Sequence, residues 1–384
     1  MTTSVSVSRW GGPPPAPPAE GDGQAQQVRY GIDPQVLMAS GILRNPAIPE
    51  QALERAKSLC AQSRYSEARA ALVPHLNNAD SAVEAELRGV LAECALRGVG
   101  SEPRAAIEEA LASHRLSGDD RRVALMLTLS AELDLQTGEF RHARKSLKEA
   151  YAIFRERKER APASRVSTLM AEVELLSGDT NRALDFARQA AKEAGEGTES
   201  TSAVRLVLAR IHAHRNAPNE VARDLVEAER LSRSRVSLAE RLRPRIARAE
   251  TLLTLGFDKR ALRGLRRVLI DVVTLEDTQV RAKVHLLLGL SSVASDATFA
   301  RRHLKRARHL YEGFEATYGM TRADLGLLRV EHRLGLNTRP RLESLESVDL
   351  DRWPLLRAQL AIARVEIFSG SRPAVCRRAV LRER

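Results

Sequence analysis

The chain has 384 residues, of which 43% are hydrophobic, 29% charged and only 4% aromatic. Strands favour aromatic and β-branched runs, so this composition argues against a β-rich core, and no apolar stretch is long enough to cross a membrane. The net charge of +12 is lopsided: residues 201–384 carry 36 Lys and Arg against 21 Asp and Glu, whereas residues 1–200 carry 25 against 28. An acidic partner is therefore expected for the second half.

Residues 1–46 read as a disordered leader. Gly11-Gly12-Pro13-Pro14-Pro15 forbids helix, and no apolar period follows it. The first ten residues lack the basic-then-apolar order of a secretory signal. From residue 47 to residue 384 one helical pattern follows another. Cys60, Cys94 and Cys376 are few and far apart, which fits small reduced core residues in a cytoplasmic protein.

Internal repetition fixes the architecture. Gly138, Phe140, Ala143, Leu147 and Ala150 form a spaced set, and the same spacing recurs at Gly178, Thr180, Ala183, Ala187 and Ala190. It recurs again at Gly256, Asp258, Ala261, Leu265 and Val268, with weaker copies beginning at Ser63, Asn216 and Ser295 and degenerate ones at Gly98, Gly335 and Gly370. Each mark has a physical task. The first residue ends a helix in a left-handed turn, the small residue lets two helices cross closely, and the later marks continue one apolar face. Ala131, Ala171, Ala209, Ala249 and Ala363 stand at one common place before the turn, which puts a small residue on the first helix of each pair as well. The expected fold is all-α, a solenoid of eight or nine antiparallel helix pairs.

These marks resemble the tetratricopeptide repeat (TPR) family, in an extended-period form of bacterial type. The helix A aromatic and Leu-Gly marks of that family are mostly missing here, and the spacing between start points is 35 to 40 residues. The resemblance implies a protein-interaction scaffold with no enzymatic activity and no cofactor, whose helix A residues line a concave groove. On that basis the expected groove residues are Glu132, Glu172, Arg210, Arg243, Glu250, His285, Arg329, Arg333 and Arg364, with Arg165, His214, Arg322 and His332 at nearby helix A positions. Such a row suits a protein or peptide with carboxylates, because guanidinium groups take them in a two-pronged fashion.

A second basic set falls on helix B segments. Arg260, Arg263, Arg267, Arg301, Arg302 and Lys305 recur at helical spacing opposite the small packing residues, and are expected to form an exposed convex stripe that attracts nucleic acid without reading its sequence. Nothing linear encodes a catalytic or phosphate-binding motif, and His212 and His214 are poorly spaced for a metal. Glu172 and Glu174 read as solvated. The basic second half and a C-terminus without a polar capping helix also suit an alternative, the sensor arm of a bacterial transcription regulator.

Overall fold

A computed structural model describes residues 49–76, 80–100, 102–195, 199–233, 235 and 237–369. The leader, Cys376 and the repeat copy beginning at Gly370 lie outside the described residues. The described chain is an all-α solenoid of seventeen helices, with no strand among them. Helices α1 (Pro49–Ala61), α3 (Ser81–Leu96), α5 (Asp120–Thr137), α7 (Arg160–Leu176), α9 (Glu199–His214), α11 (Leu238–Thr254), α13 (Thr278–Ser292), α15 (Thr317–Arg333) and α17 (Pro354–Ser369) are the first members of their pairs. Their partners are α2 (Tyr65–Leu72), α4 (Pro103–Leu116), α6 (Phe140–Glu156), α8 (Thr180–Glu193), α10 (Pro218–Ser232), α12 (Asp258–Val272), α14 (Ala297–Glu312) and α16 (Arg339–Glu346).

Helix starts and stops follow local chemistry. Asp80, Asp119, Asp179, Ser237, Asp277 and Asp296 each accept a hydrogen bond from the backbone N–H three residues on, which satisfies an otherwise orphaned donor of the first turn. Ser63, Gly98, Gly138, Gly178, Asn216, Gly256 and Gly335 all adopt positive φ at the ends of first helices. At Gly138 the next N–H, on Glu139, donates to the Asp134 carbonyl at 2.7 Å, closing the helix end. Ser295 is the exception and is not left-handed.

The small residues do what their spacing implied. Ala143, Ala183, Ala261 and Ala300 on the second helices are fully buried, as are Ala131, Ala171 and Ala209 on the first. First helices also touch the first helices of neighbouring pairs, so they form the inner layer and the second helices the outer one.

The superhelix is tight enough to close on itself. Helix α5 touches α15 directly, and one continuous core takes in Phe140, Ala143 and Val173 together with Tyr318, Trp353 and Leu360. Trp353 is completely buried, and its indole N–H donates to the Gly138 carbonyl at 2.9 Å. The Tyr318 ring stands edge-on to both Phe140 (5.6 Å) and Trp353 (5.4 Å). A Cβ on Gly138 would lie 2.3 Å from the Trp353 ring nitrogen, so this glycine is needed for its left-handed turn and again for the close approach. Further along the seam, Ser63 and Ser237 share a hydroxyl hydrogen bond of 2.8 Å, the Ser66 N–H donates to Glu276 at 2.7 Å, and the Thr278 N–H donates to the Arg97 carbonyl at 3.1 Å. The turns that follow α1, α3 and α5 thus sit against residues about five repeats later.

Candidate functional site

The inner layer carries a connected set of charges. Glu132 on α5 is paired with Arg97 at the end of α3 (3.4 Å) and with Arg165 of α7. Arg210 on α9 joins Glu172 of α7 (2.9 Å) to Glu250 of α11 (3.4 Å). Glu250 also meets Lys283 of α13 (2.9 Å) and Arg322 of α15 (3.9 Å). Arg243 lies close enough to Glu132 to lower its pKa. Side chains from six successive first helices therefore converge, which they can do only because the coil is tight.

The electrostatics follow from that crowding. Burial opposes the charge on Glu132, yet the Arg165 and Arg97 guanidiniums prevail and hold its pKa down to about 2. Glu250 is likewise opposed by burial and is held far below the carboxylate range by Lys283, Arg210 and Arg322. The set has two depths. The side chains of Glu132, Glu250, Arg97 and Arg210 keep only 10–13% of their surface. Arg165 keeps 50% and Lys283 36%, and Arg243 is exposed. The most accessible members are cationic, with Glu172 next at 29%.

Not all the expected groove residues join this set. Arg329 pairs with Glu366 on α17 at 3.2 Å, and Arg364 pairs with Glu346 at the end of α16. Arg333 is exposed at the end of α15. His285 turns towards α14 instead: its ring stacks on His303 at 5.0 Å, with the two Nδ1 atoms 2.8 Å apart. Burial pushes the His285 pKa down to about 4, helped by His303, Arg306 and Arg281. Glu174 corrects the solvated reading. It is buried and held by Arg144 at 2.6 Å, because its side of α7 faces α6 and not water. Glu172 is also paired.

Two members, Arg97 and Lys283, were outside the expected row. Arg165, Arg243 and Arg322 share one place in the repeat, about two helical turns before the Glu132 type of position. In α13 the register shifts by one residue, and its turn lacks a left-handed residue. Gly289 then packs on α14, where a Cβ would lie 2.4 Å from Leu304, and Lys283 takes the inner position.

The outer layer differs. Arg260, Arg263, Arg267, Arg302 and Lys305 are exposed and Arg301 is half-buried. Among the described residues none of these six is paired with a carboxylate. Arg260 lies over the Phe257 ring (5.4 Å), and Arg266 of α12 lies over Phe299 of α14 (5.4 Å), which joins the two helices into one surface.

Fold and site together define a TPR-like helical repeat protein that is coiled into a closed superhelix. The structure of a Rap protein complexed with competence and sporulation factor overlays it with a TM-score of 0.54 at 12% identity, covering 88% of this chain and all of that one. That likeness is one of fold. The P58(IPK) TPR domain also aligns, at 12% identity over 84% of this chain and 99% of that one, but its TM-score of 0.26 supports nothing further. No protein-family model matches the chain, and no curated protein aligns with it. No described helix is long and apolar enough to cross a membrane.

Proposed function

We propose that the protein is a non-enzymatic interaction scaffold of the TPR type, and that its inner face docks an acidic segment of a protein or peptide. The observation that carries this reading is the two-layer arrangement: Glu132 and Glu250 lie deep, while Arg165, Arg243 and Lys283 reach outward above them. The deep glutamates hold the cationic frame in place, so the outer guanidiniums meet a carboxylate ligand already oriented. The Rap structure, with its bound factor, offers a precedent for a ligand on this fold.

The test is fluorescence anisotropy with a labelled Glu/Asp-rich peptide and its Lys-rich counterpart. The acidic peptide should bind, the basic one should not, and Arg165→Glu/Lys283→Glu should weaken binding tenfold or more, or about 1.4 kcal/mol or more. Equal binding of both peptides, or a variant indistinguishable from the parent, would remove the proposal.

A further inference from the structure

The basic face on α12 and α14 is unaccounted for by the inner site, and we infer that it is a docking surface for the phosphate backbone of a nucleic-acid duplex, engaged without regard to base sequence. The placement carries the argument. Arg263 and Arg267 are one helical turn apart on the outward side of α12, and Arg302 and Lys305 repeat the arrangement on α14. The Arg266–Phe299 contact bridges the rows, so the cations share one convex ridge and not two separate helices.

Several exposed arginines elsewhere on the outside are neutralised locally. Arg230 pairs with Glu227 at 2.7 Å, Arg121 with Glu159 at 2.9 Å and Arg339 with Glu343 at 2.8 Å. Along the ridge none of the cations is ion-paired among the described residues, although Asp271 lies one helical turn beyond Arg267. Like charges at this spacing repel one another and cost stability. A polyanion relieves that repulsion and releases its own counterions as it binds.

The chemistry favours a duplex over the other anionic surfaces. Five of the six cations (Arg260, Arg263, Arg266, Arg267, Arg302 and Lys305) are arginines, whose planar fork matches phosphate oxygens. The two aromatic rings on the face, Phe257 and Phe299, lie beneath guanidiniums. Each ring thus already holds a cation, and Phe257 keeps 45% of its surface. Backbone contacts position a protein on a duplex but carry no base information, so sequence indifference follows.

The experiment uses the full chain and a short fluorescent DNA duplex in two unrelated sequences, titrated across a range of salt. Both sequences should bind alike, with affinity falling linearly on a log–log salt plot. Arg263→Glu/Arg267→Glu/Arg302→Glu/Lys305→Glu should lose at least tenfold in affinity, and the slope should shrink by about three to four. Circular dichroism melts confirm that this variant is folded, and a milder Gln series should shift the slope the same way. Arg182→Glu/Arg188→Glu, on α8, should bind like the parent. No binding of the parent at low salt overturns the inference. So does an equal loss in the α8 variant, strong preference for one sequence, or capture by anionic phospholipid vesicles with none by DNA.

Discussion

The inner and outer faces of this solenoid use arginine in opposite ways. Inside, Arg97 is hemmed in beside Glu132, and Arg210 is shared between Glu172 and Glu250. Outside, Arg263, Arg267 and Arg302 stand in water without an ion-paired carboxylate. The difference lies in geometry, not composition. First helices converge on the superhelix axis, so charges from several repeats meet and select one another. Second helices diverge on the convex side, where a charge has only its own helix and one neighbour to answer it. Inner charge is thus tied to the shape of the coil, whereas outer charge is left available.

That contrast can be broken most forcefully at the closure on which it depends. Trp353→Ala should cost about 3–5 kcal/mol in chemical denaturation, because a completely buried indole and its bond to Gly138 are lost. Gly138→Ala should destabilise in the same direction, since a Cβ there strikes the Trp353 ring. Next comes the inner network. Glu250→Gln should cost about 3 kcal/mol, as it leaves Arg210, Lys283 and Arg322 without their shared counter-charge. A loss of only a few tenths would show that the inner pairs are screened by solvent after all.

Smaller effects test the register. Ala143→Leu or Ala183→Leu should overpack a helix crossing at a cost of about 1–3 kcal/mol, read as a lower melting temperature. The His285–His303 pair adds a pH dependence. The folded pKa of His285 is about 4, below the ordinary value of 6.5, so the unfolded chain takes up its proton first as pH falls. This part of the stability is present above the ordinary value and is lost between about pH 6.5 and 4. His285→Gln should flatten the decline in melting temperature across that window. The smallest change belongs to the ridge: Arg263→Gln should leave stability within about 0.5 kcal/mol of the parent.

The sequence revealed the repeat and little of the closure. Turn positions such as Gly178 and Gly256, and crossing residues such as Ala183 and Ala261, are dictated by local sterics that recur from repeat to repeat, so a periodic pattern exposes them. Glu132, Glu172, Arg210 and Glu250 were legible as one row for the same reason. Trp353 and Tyr318 were not, because their respective partners Gly138 and Phe140 lie at a turn five or six repeats earlier, and a contact made once has no period. Lys283 was hidden by the one-residue shift in α13, and His285 was assigned to the groove for the same reason. Glu174 read as a surface charge because Arg144, which buries it, lies a whole helix earlier.

Arginine-selective dicarbonyl labelling of the native protein, mapped by peptide mass spectrometry, addresses the contrast at its source. Arg263, Arg267 and Arg302 should be modified in the folded state, while Arg97 and Arg210 should react only after denaturation. Labelling of Arg97 and Arg210 at the rate of the ridge arginines would contradict the account.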